Sequence, residues 1–149
     1  MEDPARPGEV FTMANDDPFW WNAAPPIWVT AEKAGIPTAS MYWPGSNVGW
    51  GGVRASTWPN YVTGGTRPTD WQQFSQQMPN ENRVRAILDW MRRPAATRPR
   101  LVTTYFDVVD TAGHQYGPTS PQVNEALVEV DRAIGQLVEG LAAQGQAAN

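Results

Sequence analysis

The sequence contains no cysteine, and His114 is the one histidine among its 149 residues. The absence of cysteine excludes disulfide bonds and thiolate metal sites, and it leaves the cellular compartment open. Because the chain offers no second histidine and no thiolate, a metal site that uses His114 needs carboxylates or ligands supplied from elsewhere.

Long apolar runs and an excess of positive charge are missing as well. No stretch approaches the roughly 20 apolar residues of a transmembrane helix. Residues 1–7 have neither the basic start nor the apolar run of a signal peptide. The net charge of -4 argues against a surface that holds nucleic-acid polymers or anionic membranes by bulk electrostatics. We therefore expect no membrane segment, no signal peptide and no nucleic-acid polymer as partner.

Aromatic residues and proline, in contrast, are abundant: the chain has 8 tryptophans and 14 prolines, and most of the tryptophans precede residue 72. This half shows little periodicity, which predicts long ordered loops of the kind used for binding, including one from Ser46 to about Arg67. Residues 51–61 resemble residues 64–74, each with Gly-Gly, Arg, Trp and an aromatic residue at the same spacing. Two copies indicate a local duplication that lengthens the loop, not a solenoid.

Periodicity and capping residues predict helices over 26–34, from about Asn80 to before Pro94, and over 120–145. Strand-like runs cover 37–43 and 101–106. Strands that alternate with helices indicate an α/β fold with a parallel sheet, and two strands cannot form such a sheet alone. We therefore expect residues 1–149 to form a single incomplete domain. The last helix should turn one apolar stripe to the core: Val123, Leu127, Val130, Ile134, Leu137 and Leu141.

Asp110 and His114 follow the strand-like run 101–106, in what we predict to be a loop that turns at Gly113. Ligands of open parallel sheets bind beyond the carboxyl ends of the strands. The pair is then either half of a divalent metal site, or a turn-capping Asp with an unrelated His beside it. Tyr105 either reaches a phosphate or a metal-bound water, or is an ordinary strand tyrosine. Trp43 either stacks a base or a sugar, or lies at the rim of the core.

Taken together, several motifs resemble the nucleotide pyrophosphatase/phosphodiesterase family of the alkaline phosphatase superfamily. The most specific is Tyr105 through Pro118, a tyrosine followed by Asp, Gly-His and Gly-Pro. The motifs that precede it occur in the family's order: Asp17-Pro18-Phe19-Trp20-Trp21, Pro25-Pro26-Ile27-Trp28-Val29-Thr30, Met41-Tyr42-Trp43-Pro44-Gly45-Ser46 and Asn82-Arg83-Val84. The resemblance covers almost the whole chain and implies a partial alkaline-phosphatase-like domain, with residues 44–78 as an aromatic loop insertion.

The resemblance also implies roles for individual residues. Asp110 and His114 match ligands of one of two zinc ions, which they share with a histidine further along the family's sequence. Tyr105 matches a tyrosine beside the bound phosphate. Trp43 matches one side of the nucleotide-binding wall, and Phe74, or alternatively Tyr61, matches the aromatic residue opposite.

The resemblance implies a zinc-dependent hydrolase of nucleotide phosphodiester or pyrophosphate bonds, exported to the periplasm or the cell exterior. The family's threonine nucleophile and the ligands of its second metal have no match in this chain, so no catalytic residue is assigned. We therefore expect an internal piece of a phosphodiesterase that binds a nucleotide or another small phosphodiester. The alternatives are a non-catalytic remnant and a small nucleotide- or carbohydrate-binding module.

Overall fold

A computed structural model describes residues 1–54 and 62–146 of the protein. The chain forms two compact units, the first built from residues 1–74 and 99–103 and the second from residues 75–98 and 104–149. Strands and helices are both present, as the α/β prediction requires.

The first unit contains a short 3₁₀ helix, Pro18–Trp20, then helix α1, Ile27–Lys33, and strand β1, Thr38–Met41. Asp17 begins the 3₁₀ helix by accepting a hydrogen bond from the Phe19 amide. All four residues of β1 are buried, as is typical of a strand covered on both faces. The helix and the strand lie within the predicted ranges, with β1 shorter at both ends.

The sheet of this unit has the strand order β4-β1-β5, where β4 is Asp70–Gln72 and β5 is Leu101–Thr104. Strand β4 pairs in parallel with β1, with Ala39 opposite Asp70. The parallel pairing was predicted, but β4 itself was not. Strand β5 ends two residues earlier than predicted, because helical turns begin soon after it.

The predicted long loop carries a hairpin that the sequence analysis also missed. Strand β2, Val53–Arg54, pairs antiparallel with β3, Val62–Thr63, and a bridge joins Trp50 to Thr66. Two-residue strands are too short to leave an alternating pattern in the sequence, so periodicity could not reveal them. Most of the first copy of the duplicated unit, residues 55–61, lies outside the described residues.

Glu32, near the end of α1, ties this helix to β1 and to the segment that leads into β4. Its carboxylate accepts hydrogen bonds from the amide and hydroxyl of Thr38, both at 2.7 Å, and from the amide and hydroxyl of Thr69, at 2.8 and 2.9 Å. Burial acts to raise the pKa of Glu32, but these four bonds outweigh it and hold the pKa below its ordinary value.

The lowered pKa of Glu32 predicts a loss of stability in acid. A carboxyl whose folded pKa is depressed stabilises the fold above its unfolded pKa of about 4.3, and this contribution disappears as the pH falls through the folded value. We expect Glu32→Gln to cost about 1 kcal/mol of unfolding free energy at pH 7, and the difference from wild type to shrink below about pH 4. Urea denaturation across pH measures this. Glu139→Gln, at an exposed position of the long C-terminal helix, is the control; a penalty independent of pH would contradict the prediction.

The second unit is a helical layer. It consists of α2, Asn80–Met91, α3, Val108–Tyr116, and α4, Pro121–Ala143. Both α2 and α3 pack against α4. A Cβ at Gly140 would collide with the Leu88 side chain, so glycine here permits the close approach of α2 and α4. Helix α2 begins at Asn80, with Pro79 at the N-cap. The side-chain amide of Asn80 donates a hydrogen bond to the Glu129 carboxylate of α4 at 2.8 Å.

Helix α4 confirms the predicted long helix, with the Ser120 hydroxyl capping the Val123 amide at 3.3 Å. The predicted apolar stripe is wrong in part, because Leu127 and Ile134 are about half exposed. Ala126 and Ala133 are buried in their place, and Val123 and Ala126 form an apolar cluster with Ala112 of α3. The face of α4 that packs is therefore rotated toward small residues, which let the neighbouring helices come close.

Within the described ranges, none of the helices combines the length and apolar character that a membrane crossing requires.

Candidate functional site

Helix α3 carries the two predicted metal ligands, which corrects the expectation that they lie in a loop. Asp110 is in the first turn of α3 and His114 is in its last turn, four residues on. Gly113 lies within the helix and makes no turn there. Helical geometry places residues four apart on the same face, one turn from each other. The four-residue spacing of Asp110 and His114 therefore brings their side chains together.

The two side chains meet at the surface of the second unit. The His114 Nε2 atom lies 3.5 Å from the Asp110 Oδ1 atom, and the side chains are 83% and 64% exposed. An ion arriving from solvent can therefore reach both atoms. Such a pair also suits the helix dipole, with the acid near the N-terminus and the imidazole near the C-terminus, and this structural benefit amounts to a few tenths of a kcal/mol.

The separation of the pair fits two ligands of one zinc ion. Bonds of about 2.0–2.2 Å at a tetrahedral angle place two ligand atoms about 3.3 Å apart, close to the observed 3.5 Å. A structural or catalytic zinc needs at least three protein ligands. Among residues 1–54 and 62–146, no group of three or more His, Cys, Asp or Glu side chains has the arrangement of a metal site. Asp110 and His114 thus offer half of a coordination sphere.

Tyr105 lies between β5 and α3, and its phenol interacts electrostatically with the carboxylates of Asp110 and Asp107. Burial raises the pKa of its phenol, the negative charges of Asp110 and Asp107 raise it further, and Arg83 opposes them in part. At neutral pH this phenol, like any tyrosine of ordinary pKa, is protonated and carries an O–H donor.

Arg83 fixes the segment that leads from Tyr105 into α3. Its guanidinium is 1% exposed, and Nη1 bonds both the Tyr105 carbonyl at 2.9 Å and the Asp107 carboxylate at 2.8 Å. The remaining nitrogens, Nε and Nη2, donate to the carbonyls of Met78 and Ser75, both at 3.1 Å. The Arg83 side chain thereby links three backbone carbonyls and one carboxylate.

Sequence analysis did not assign a role to Arg83, although Asn82-Arg83-Val84 was one of the resembling motifs. A usable signal was present: Arg83 is followed by Val84 and Ile87, which both lie on the buried face of α2. An arginine on an apolar helix face needs buried partners, because an unpaired buried charge is costly. Asp107, three residues before Asp110, is the carboxylate that supplies one.

Trp43 lies in the first unit, in a pocket of about 220 Å³ that also contains Trp21, Trp28 and Trp50. Its side chain is 41% exposed. Phe74 is half-buried and does not line this pocket, and Tyr61 lies outside the described residues. The predicted nucleotide wall of Trp43 and Phe74, or Tyr61, stays a prediction.

The comparisons with known proteins agree on one family. All 149 residues match the family described as type I phosphodiesterase / nucleotide pyrophosphatase. Mouse ectonucleotide pyrophosphatase/phosphodiesterase family member 3 is 38% identical over 130 residues, which are 87% of this chain and 13% of that protein. Venom phosphodiesterase 2 of Crotalus adamanteus is 38% identical over 125 residues, covering 84% of this chain and 14% of its own length.

Solved structures support the same assignment. Murine ectonucleotide pyrophosphatase / phosphodiesterase 5, as an inactive variant in complex with AMP, superposes with a TM-score of 0.72 and 26% identity over 89% of this chain. The match covers 31% of the murine chain, so the present chain spans less than a third of these relatives. The predicted partial α/β fold of this family is confirmed, and the chain belongs to the type I phosphodiesterase / nucleotide pyrophosphatase family.

Proposed function

We propose that these residues contribute a metal-binding and substrate-binding segment to a hydrolase that cleaves phosphodiester or pyrophosphate bonds of nucleotides. The observation that carries the proposal is the 3.5 Å juxtaposition of Asp110 and His114 on one exposed face of α3. The family assignment supports the reaction class, and the murine relative solved with AMP supports a nucleotide as the substrate class.

Asp110 and His114 supply one carboxylate oxygen and one imidazole nitrogen to a divalent metal, and zinc is the ion that this donor pair suits. When bound, such a metal provides Lewis-acid activation of water and of the phosphoryl group. A second zinc ion completes the proposed site. The chain has no other histidine and no cysteine, so we infer that the missing ligands come from polypeptide outside these 149 residues.

We propose that three further positions contact the substrate. Tyr105 donates its phenolic hydrogen to a phosphate oxygen. Trp43 and Phe74, or Tyr61, provide aromatic faces for the base, and stacking of this kind contributes about 1–3 kcal/mol per base. No threonine among the described residues is assigned as nucleophile, so that role is also placed outside this segment.

The relatives' names bear on the compartment in which the complete protein acts. The matched relatives include ectonucleotide enzymes and venom phosphodiesterases, names that describe proteins acting outside the cell. We therefore place the complete protein in an extracellular or periplasmic compartment.

The metal half-site can be tested directly, because one histidine gives one set of imidazole signals in the NMR spectrum. We expect added Zn²⁺ to shift or broaden the His114 signals, with weak affinity because two ligands are available. Asp110→Asn should weaken this binding by about tenfold or more, since loss of even an outer-shell partner of a zinc site costs about 10–100-fold.

Asp131→Asn is the matched control, because Asp131 is also exposed on a helix of the same unit. It should bind zinc as the wild type does. If Asp110→Asn binds zinc as tightly as wild type, His114 is an isolated surface imidazole and the proposed half-site is wrong.

A further inference from the structure

Helix α4 has two apolar sides, and one of them is covered by its neighbours. Ala126, Ala133 and Gly140 recur every seven residues on the covered side, where both alanines are buried and a Cβ at Gly140 would collide with Leu88 of α2. A helix at a protein surface normally has a single apolar stripe, so the second apolar side of α4 is unusual. A third side faces solvent with charged and amide side chains: Glu125, Glu129, Arg132, Gln136 and Glu139.

The second apolar side, which we call the open face, consists of Leu127, Asp131, Ile134, Gly135 and Val138. Spacings of three, four and seven residues place these positions on one side of the helix. The three large apolar side chains are each about half exposed, and Asp131 is exposed as well. An apolar patch that is continuous along one helix face and bordered by polar residues is typical of a surface that contacts another polypeptide.

Gly135 gives a second indication that the open face is covered. Glycine is less favourable in a helix interior than any residue except proline. At Gly140 the clash with Leu88 explains the glycine, whereas a Cβ at Gly135 would have no atom within 4 Å. In the part of the chain that the structure describes, nothing requires glycine at this position. An element that approaches the open face closely would require it.

Asp131 specifies the chemistry of the element that covers the open face. Its carboxylate is the one charged group among the five positions, and it lies one helical turn from both Leu127 and Gly135. An element that covers the apolar side chains also removes water from Asp131, and a buried carboxylate without a counter-charge is costly. The covering surface must therefore be apolar and present a lysine or arginine to Asp131.

A second copy of this chain does not meet that requirement. In a two-fold pairing of the open face with itself, both copies contribute the same residues. The open face contains no lysine or arginine, so each Asp131 carboxylate would be buried against apolar side chains or against its equivalent. The chain spans less than a third of the relatives that it matches, so the complete protein offers other segments as occupants.

We propose that a further segment of the complete protein's own polypeptide packs on the open face, with an apolar surface and one basic side chain paired with Asp131. The inference rests on the family assignment and not on metal binding at α3, so it and the proposed function fail separately.

Two synthetic amphipathic helical peptides serve as probes of the open face. They are identical except at the centre of the apolar side, where one carries lysine and the other glutamate. With the full 149-residue chain, the lysine peptide should bind about tenfold more tightly and should shift the amide NMR signals of Ile134 and Val138. In Asp131→Asn this preference should fall to about twofold or less. Glu139→Gln, which removes a charge from the solvent side of α4, should keep the preference.

Gly135→Leu separates close docking from nonspecific apolar binding. The added side chain has open space around it in this chain, so the variant should fold as the wild type does. Leucine enlarges the apolar patch but prevents close approach, so it should weaken binding of the lysine peptide about tenfold, as overpacking of a fitted contact does.

Three results would overturn the proposal: a wild type that does not distinguish the two peptides, an Asp131→Asn variant that keeps the preference, or a Gly135→Leu variant that binds the lysine peptide as tightly as wild type. The first comparison needs no substitution, so it stands even if a variant folds poorly. Sedimentation velocity completes the test. A dimer of the wild-type chain that dissociates in Ile134→Asp would identify the open face as a self-interface and overturn the proposal as well.

Discussion

Replacing Arg83 by methionine should destabilise the protein by about 3–5 kcal/mol, the usual result of removing one partner of a buried ion pair. Methionine preserves much of the volume but leaves the Asp107 carboxylate, itself 5% exposed, without its charged partner at 2.8 Å. The carbonyls of Ser75, Met78 and Tyr105 lose their donors as well. Urea denaturation followed by circular dichroism measures the change.

Arg85→Met is the matched control for this experiment. Arg85 is on the same helix two residues away, but its side chain is 65% exposed and pairs with Glu81 on the surface at 2.6 Å. Exposed pairs contribute about 0–1 kcal/mol, so this variant should stay close to wild type. Equal effects of the two substitutions would show that the Arg83 network contributes no more than a surface pair.

The Arg83 network also supports the helix that carries the proposed metal half-site. It holds Tyr105 and Asp107, which lie immediately before α3, and Asp110 is in the first turn of that helix. Loss of the network should therefore loosen the start of α3 before it affects α4. Faster amide hydrogen exchange in α3 than in α4 of the Arg83→Met variant would be the corresponding observation.

The metal-binding role of Asp110 and His114 stays a prediction, whereas the loop predicted to carry them was wrong, because both lie on helix α3. Asp110 and His114 stand out because one histidine, one nearby carboxylate and a preceding strand are visible in the sequence itself. The segment was predicted to be a loop that turns at Gly113, yet Gly113 is helical and the helix ends only at Gly117. A nine-residue helix between a strand and another helix leaves too few turns for periodicity to separate it from a loop.

Contacts between residues distant in sequence were the part that could not be predicted. The rings of Trp21, Trp28 and Trp50 surround the same pocket as Trp43, but nothing in their spacing indicates that they meet. The same holds for β4, whose three residues become a strand through pairing with β1. Helix α4, in contrast, was predicted to within about two residues, because its length, its serine cap and its following glycine are all local signals.

The isolated 149-residue chain is expected to show no zinc-dependent hydrolysis of a nitrophenyl nucleotide ester. Two ligands hold zinc weakly, and the chain's one histidine already belongs to the proposed half-site. A covalent step also requires an activated nucleophile, for which no residue here is assigned. Enzymes accelerate such reactions by about a million-fold or more, so an assay that resolves a thousand-fold excess over the uncatalysed rate is sufficient.

The assay needs a positive control that turns over the ester and a variant control that lacks the histidine. A venom phosphodiesterase preparation, from the family to which the chain belongs, should turn over the ester under the same conditions. The wild-type chain and His114→Ala should both remain at the rate of buffer with zinc. Turnover by the wild type that requires zinc and disappears in His114→Ala would mean that the chain completes a metal site by itself, for instance by bringing the α3 faces of two copies together. Asp110 and His114 would then be catalytic ligands within these 149 residues, and the inference that the remaining ligands lie elsewhere would be wrong.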